Sequence, residues 1–429
     1  MKIFFAIINV GFLFAVAFQL WKKEPATLRP LFWPALLFKC AAGLGLGWLY
    51  AHYYGLGDTL LYFHDGARLA QLARLDPVTY LLFLWNGDES FPFWSNLHLQ
   101  EPRALFMAKI TSVFNLFSHD DYWITSLYFS IIPFFSAWML TKAIVRLDAT
   151  LRGAAVFSLL FFPSAVFWGT GLIKESLAMS SLFFISVVFL KLWRNERVSA
   201  VQWIACLPAL WLVWGLKYYY LAIFLPVAAS TLVARFVFSR LPAINTGVKV
   251  ALWAVIFLVP LLAASLFHPN FYPERFLEVI VSNYDVFHEI SQPEDVVTYA
   301  GLEATASSVL AHAPGALLTG LFRPFPWEAG NVLQGFASLE NMVLLVLSVA
   351  ALWNVKKLVA SPQRMLLWSL FLYSVLLCVF LALSTPNFGT LSRYRVGFLP
   401  FYVLLISIEN PVLRYAFNFL ERSWNRLVR

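Results

Sequence analysis

The chain has 429 residues, of which 60% are hydrophobic and 13% charged, and its mean hydropathy is +0.72. Soluble domains carry roughly 25% charged residues, so this composition excludes an ordinary soluble protein. The net charge of +8 does not indicate a nucleic-acid partner. Most Lys and Arg residues fall in short loops between apolar runs, as the positive-inside rule predicts for a membrane protein.

The apolar runs predict an all-α, polytopic membrane protein, because one span needs about 20 apolar residues. We predict a single membrane domain over residues 1–429. Its eleven spans are expected at 3–20, 31–51, 122–141, 153–173, 176–193, 201–215, 218–235, 249–267, 337–354, 365–384 and 395–411. The first run has no small-residue cleavage site before Trp21, so we expect a retained span. The basic loops place the N-terminus outside and the C-terminus inside.

Two long outer loops follow from this topology, at about 52–121 and 268–335. The segment 104–118 is apolar enough to be a span, but counting it as one would move a basic loop to the outer face. We therefore predict an amphipathic helix at the outer interface. A second interfacial helix is expected over 303–322, interrupted by Pro314.

The first outer loop opens on an acidic turn, GDTLLYFHDG, which covers Gly57–Gly66. Asp58 and Asp65 are carboxylates that can take a proton from a hydroxyl, and His64 is a further candidate base. Each also has a structural interpretation, as a turn residue, a helix N-cap or a hydrogen-bonded loop residue. Asp58 and Asp65 could share a divalent metal, but two carboxylates are weak evidence for one, so no cofactor is assigned.

Basic residues also occur at the outer ends of spans, where the positive-inside rule disfavours them. They are Lys174, which is followed by Glu175, and Lys217, Arg323, Arg393 and Arg395. Arginine forks and lysine point charges suit phosphate oxygens, so these residues are candidates to clamp the phosphate or diphosphate of a lipid-linked sugar. The structural alternatives are pairing of Lys174 and Glu175 with each other or with a nearby helix end, and snorkelling of Arg393 and Arg395 to lipid headgroups.

Three features together resemble a known family. They are the cluster of Asp58, Tyr62, His64 and Asp65 at the start of the first outer loop, the interfacial helix after it, and the late RYRVGFLPF run. The chain in these respects is similar to the GT-C superfamily of integral-membrane glycosyltransferases, which use polyprenyl-phosphate sugars. The resemblance implies that Asp58 is the catalytic base, with Asp65 next, and that Arg393 and Arg395 contact the donor phosphate. The chain departs from many members because its acidic loop follows the second span, and we expect no large soluble C-terminal domain.

The expected function is transfer of a sugar from a polyprenyl-(di)phosphate donor to a glycan, lipid or protein acceptor, at the periplasmic face of a bacterial inner membrane. The expected partners are this donor, the acceptor and membrane lipids. An O-antigen-type polysaccharide polymerase or ligase is the alternative, and it would depend on Arg323, Arg393, Arg395 and His64 more than on Asp58. A transporter or flippase is less favoured, because the ionisable groups collect at span ends and not at the bilayer midplane. A structural membrane protein gives no reason for basic residues around an acidic loop.

Overall fold

The computed structural model describes residues 2–55, 57–241, 245–265 and 272–416. Within these ranges the chain is helical, without a β-strand and with one isolated bridge between Val296 and Asn387. The predicted all-α class is confirmed for this part of the chain. The end of the predicted span 249–267, the start of the predicted loop 268–335 and the basic residues of the C-terminal tail after Arg414 lie outside the described ranges.

The described ranges contain eighteen α-helices, numbered in chain order. They are α1 Lys2–Lys22, α2 Arg29–Leu49, α3 Asp58–Leu75, α4 Pro77–Asn86, α5 Pro102–Ser118, α6 Tyr122–Leu147, α7 Arg152–Val156, α8 Pro163–Phe167, α9 Lys174–Trp193, α10 Ala200–Arg240, α11 Thr246–Ser265, α12 Pro273–Ile290, α13 Ala306–Phe322, α14 Val332–Leu352, α15 Val355–Ala360, α16 Arg364–Ser384, α17 Phe388–Tyr394 and α18 Leu399–Ser407.

Seven helices in the described ranges are long and apolar enough to cross a membrane. They are α1, α2 with its π-helical extension to Tyr54, α6, α9, α10, α14 and α16. The chain therefore has the helices of a polytopic membrane protein, but they do not match the eleven predicted spans one for one. The predicted span 153–173 is broken into α7, a π-helical turn and α8. Phe162 between them is extended, with ψ of 120°, because a proline disfavours the helical conformation of the residue before it.

The 41-residue helix α10 covers two predicted spans, 201–215 and 218–235. Its backbone leaves helical geometry at Lys217, where φ is −148° and ψ is 62°. The break thus falls between the two predicted spans.

Contacts between Cα atoms divide the chain into two compact units. The first unit consists of Met1–Leu140, Val166–Ser186 and Ala200–Tyr218, and the second of Thr141–Ala165, Val187–Ser199 and Tyr219–Arg429. Of the predicted site residues, Asp58, His64, Asp65, Lys174, Glu175 and Lys217 belong to the first unit. Arg323, Arg393 and Arg395 belong to the second.

The predicted acidic turn at Gly57–Gly66 is wrong, because this stretch forms the first half of helix α3. Gly57 is the extended residue before the helix, and a Cβ there would lie 2.4 Å from the Tyr50 ring. A Cβ on Gly66 would lie 2.9 Å from the Thr111 methyl carbon. Both glycines therefore permit close packing, and Gly66 lets α3 approach α5 without ending the helix.

Helix α4 is connected to α3 through Asp76, whose carboxylate accepts hydrogen bonds from the Thr79 amide at 3.1 Å and the Thr79 hydroxyl at 2.6 Å. This is an N-cap, and Pro77 follows it at the first helical position. A small hydrophobic core lies between α3, α4 and α5. It contains Leu69, Tyr80, Phe83, Leu97 and Leu105. This core fixes α3, α4, the loop after α4 and α5 to one another.

The predicted helix at 104–118 is present as α5, and it buries Ala104, Ala108, Thr111 and Ser112. The predicted helix at 303–322 is present as α13, but the expected interruption at Pro314 is wrong, since the helix continues through it. A proline removes one helical hydrogen bond, and the rest of this 17-residue helix is retained. The same predicted loop also contains α12, which was not predicted.

Candidate functional site

Asp65 is fully buried on α3, and both of its carboxylate oxygens are engaged. The backbone amides of His98 and Leu99 donate to Oδ2 at 2.9 and 2.8 Å. The His98 ring approaches Oδ1 through Nδ1 at 2.9 Å, and Arg68 donates to the same oxygen at 3.5 Å. Asp65 therefore ties the loop before α5 to α3, and its carboxylate is closed to substrate.

The contact with Asp65 sets the orientation of the His98 imidazole. A carboxylate only accepts hydrogen bonds, so we assign the Nδ1 proton to the bond with Asp65. The other ring nitrogen, Nε2, then accepts a hydrogen bond in the neutral ring and donates one in the charged ring. The His98 side chain is 49% exposed. Within the described residues no hydrogen bond engages its Nε2.

An open cleft of about 620 Å³ lies along α3. Its polar lining residues are His64, Arg68, Gln71, Arg74, His98 and Asp120. Arg74 pairs with Asp120 at 2.5 Å, and Arg68 donates to the carbonyl of Asn96. His64, a predicted candidate base, lies at this cleft and on a helix, so its interpretation as a loop residue is wrong.

Asp58 occupies a different side of α3 from the cleft. It is the first residue of the helix and is partly exposed. Tyr62, one turn later on the same face, is buried, and the Lys174 ammonium lies 5.5 Å from its ring centroid. Lys174 begins helix α9. A carboxylate, a phenol and a basic residue therefore gather shortly after the end of helix α2.

Glu175 and Lys217 form a buried ion pair, with 2.8 Å between Oε1 and Nζ. The two side chains are only 1% and 4% exposed. Glu175, for which the sequence suggested Lys174 as a partner, forms this pair with Lys217 at the break in α10. An ammonium so buried and paired is poorly placed to clamp a lipid phosphate at the surface.

In the second unit, Arg323 contacts Glu328 through two nitrogens, with Nε 3.1 Å from Oε2. The Phe325 amide also donates to Glu328, at 2.8 Å. Burial alone would raise the pKa of Glu328, but these hydrogen bonds and the charge of Arg323 lower it below its ordinary value. Arg323 therefore forms a local ion pair with Glu328 in the short turn between α13 and α14.

The late RYR run forms the end of α17 and a short 3₁₀ turn. Arg395 is 1% exposed, which contradicts the alternative that it snorkels to headgroups. Its nearest carboxylate in the described ranges is Glu340, at 3.9 Å, and Glu340 also accepts the amide of Ser164 at 2.8 Å. Arg393 is only partly exposed, and its guanidinium lies 5.2 Å from the Tyr394 ring centroid.

The sequence interpretation overlooked His98, Arg68, Arg74 and Asp120. The cleft residues on α3 could have been found from the sequence. His64, Arg68, Gln71 and Arg74 recur at helical spacing, which predicts a polar stripe along one helix. No sequence pattern links His98 to Asp65, since His98 lies 33 residues away in an irregular loop.

The structure does not bring two carboxylates together as ligands of one metal ion. Asp58 and Asp65 are two helical turns apart, about 10.5 Å along the axis of α3. No group of three or more His, Cys, Asp or Glu residues could hold a metal ion within the described ranges. In the comparisons with known proteins, this chain matches no family model, no curated protein and no solved structure.

Proposed function

We propose that this chain is a membrane glycosyltransferase that moves a sugar from a polyprenyl-(di)phosphate donor to a glycan, lipid or protein acceptor. The observation that carries the proposal is the difference between its two candidate acids. Asp65 is fully buried, with hydrogen bonds to both oxygens, whereas Asp58 is partly exposed at the start of α3. Of the two, Asp58 is the carboxylate that a substrate hydroxyl can approach.

The surroundings of Asp58 support the same reaction. A general base has to lie near a group that stabilises the leaving phosphate. Lys174 stands over Tyr62, which is one turn from Asp58 on the same face of α3. A lysine ammonium at this place can attract phosphate oxygens as a point charge.

The chemistry that we assign to these residues is a direct displacement. Asp58 takes the proton of the acceptor hydroxyl as its oxygen forms a bond to the anomeric carbon of the sugar. The bond between that carbon and the donor phosphate breaks, and the electron pair leaves with the phosphate. Lys174 stabilises the negative charge on this leaving group.

The membrane arrangement belongs to the proposal. We propose eleven crossings, with the N-terminus outside and the C-terminus inside, in a bacterial inner membrane. The start of α3 would then face the periplasm. Its position immediately after the apolar helix α2 supports a site at the membrane surface, where the headgroup of a lipid-linked sugar is found.

The test is sugar transfer by the purified, full-length protein in detergent micelles. A pool of radiolabelled polyprenyl-linked sugars, extracted from bacterial membranes, would be the donor, with extracted cell-envelope glycan as the acceptor. We expect radiolabel in the acceptor and release of polyprenyl (di)phosphate. Since micelles have no second compartment, transport alone cannot produce this result.

Two outcomes of this assay would contradict the proposal. One is a donor pool that stays intact with every acceptor fraction supplied. The other is extension of a lipid-linked glycan by many repeats, abolished by Arg393→Ala and not by Asp58→Asn, which favours the polymerase.

A further inference from the structure

The cleft along α3 is separate from the site proposed around Asp58. Successive helical residues turn by about 100°, which puts His64 and Gln71 about 120° to 140° around the helix from Asp58. Arg68 lies ten residues after Asp58, about 15 Å further along the helix axis. No step assigned to Asp58 and Lys174 uses these cleft residues. The proposed reaction at Asp58 therefore does not account for the cleft.

The cleft presents N–H donors whose positions are already fixed. Arg68 uses Nη1 for Asp65 and the Asn96 carbonyl, and this anchors its guanidinium. Its Nε and Nη2 make no hydrogen bond to any described residue, and the side chain is 46% exposed. Anchoring one end of an arginine lowers the entropy lost when the other end binds a ligand.

His98 adds a second fixed group beside Arg68. Its Nδ1 lies 2.9 Å from Asp65 Oδ1 and 3.3 Å from Arg68 Nη1, so the imidazole and the guanidinium are held side by side. Nε2 is left for a ligand. Asp65 is a positioning residue here, because it is fully buried and reaches the cleft only through His98 and Arg68.

The remaining charges do not prevent anion binding. Asp120 lines the cleft, but its carboxylate is paired with Arg74 at 2.5 Å, which reduces its repulsion of an anion. Gln71 is exposed on the cleft wall and makes no hydrogen bond within the described part of the chain. It supplies a neutral amide beside the two arginines.

We propose that this cleft binds a phosphate group, with Arg68 and His98 as its contacts. A guanidinium fork next to an imidazole matches tetrahedral phosphate oxygens, and an open cleft of about 620 Å³ admits a group larger than phosphate alone. Either a lipid-linked phosphate or a soluble phosphate ester carries this chemistry. The proposal does not depend on glycosyl transfer, and its test measures binding only.

The experiment uses the full-length protein in nanodiscs of phosphatidylcholine. Inorganic phosphate, titrated calorimetrically, is the soluble probe, and polyprenyl phosphate added to the nanodiscs and counted by native mass spectrometry is the lipid probe. Binding of inorganic phosphate assigns a soluble source, and binding of polyprenyl phosphate alone assigns a lipid source. Either result supports the proposal only if binding of the probe changes in the Gln71, Arg68 and His98 variants.

Gln71 allows a test that leaves the internal hydrogen bonds intact. We expect Gln71→Lys to tighten phosphate binding and Gln71→Glu to weaken it, each by roughly fivefold, from one unit charge at cleft distance. Arg68→Gln and His98→Ala are expected to weaken it by at least about tenfold, as a lost charge-assisted hydrogen bond predicts. The matched control is the same pair of substitutions at exposed Gln292, which is not part of the cleft lining.

The Gln71 variants also guard against misfolding, because an exposed side chain without internal partners can be changed safely. The proposal is overturned if neither probe binds the wild type. It is equally overturned if the Lys and Glu variants of Gln71 bind both probes as the Gln292 variants do.

Discussion

Asp65 Oδ1 and His98 Nδ1 lie 2.9 Å apart, although 33 residues separate them in the chain. The same carboxylate accepts the amides of His98 and Leu99 through its other oxygen. One buried acid thereby holds the loop before α5 against α3 and orients the imidazole at the cleft.

Asp65→Asn should therefore destabilise the first unit. An asparagine has an NH₂ group where one carboxylate oxygen accepted hydrogen bonds, so two donors would face each other in a buried place. We expect a loss of about 1–3 kcal/mol in the free energy of unfolding. Thermal unfolding in detergent is the measurement, with Asp88→Asn at an exposed loop position as the control. Equal unfolding temperatures for the two variants would show that Asp65 does not anchor the loop.

The buried pair of Glu175 and Lys217 predicts a strong and asymmetric mutational effect. Lys217→Met removes the ammonium 2.8 Å from a carboxylate that is only 1% exposed, so the buried negative charge loses this compensation. Breaking such a pair costs about 3–5 kcal/mol. The double variant Glu175→Gln/Lys217→Met should recover most of the stability, because it removes both charges. If the double variant is less stable than Lys217→Met alone, the pair is not the source of the loss.

We expect helix α4 to contact lipid. Its exposed face carries Val78, Leu81, Leu82 and Trp85, and Trp85 is 85% exposed. An apolar helix face of this kind is stabilised at a membrane interface. A nitroxide attached to Trp85→Cys should be more accessible to oxygen than to a water-soluble nickel reagent, while one at Glu89→Cys in the following loop should show the reverse. Equal accessibility of both labels to the nickel reagent would place α4 in water.

The pair of Arg323 and Glu328 predicts a dependence of stability on pH. The pKa of Glu328 is lowered from 4.5 in the folded protein, so its contribution is complete above that value and is lost as the pH falls through the folded-state pKa. We expect the stability difference between wild type and Glu328→Gln to shrink as the pH is lowered below about 4.5. Unfolding midpoints measured from pH 6 downward test this. A difference that stays constant with pH would mean that Glu328 has the same pKa in both states.

The sequence predicted the helical class and several helix positions well, because apolar runs and their spacing report directly on helices. It mispredicted Gly57–Gly66 because two glycines look like turn signals. In the structure they relieve close contacts, with the Tyr50 ring and with Thr111, so the reason for them lies in tertiary packing.

The candidate site was predictable only where its residues share one helix. Asp58 and His64 could be found from their local pattern, whereas His98 meets Asp65 through a loop whose course no local signal encodes. No local sequence signal indicated that the side chains of Lys217 and Arg395 are buried. Composition and topology rules place a charge at a span end but do not say which way its side chain points.

The central claim is that Asp58 acts as the base in sugar transfer, and the most direct test compares turnover by Asp58→Asn and Asp88→Asn in the micellar assay. General-base catalysis contributes roughly 10²- to 10⁴-fold, so we expect kcat of Asp58→Asn to fall by at least about a hundredfold. Asp88→Asn should keep wild-type turnover, and both variants should still unfold cooperatively on heating, which shows that they are folded. Wild-type turnover by a folded Asp58→Asn protein would contradict the account.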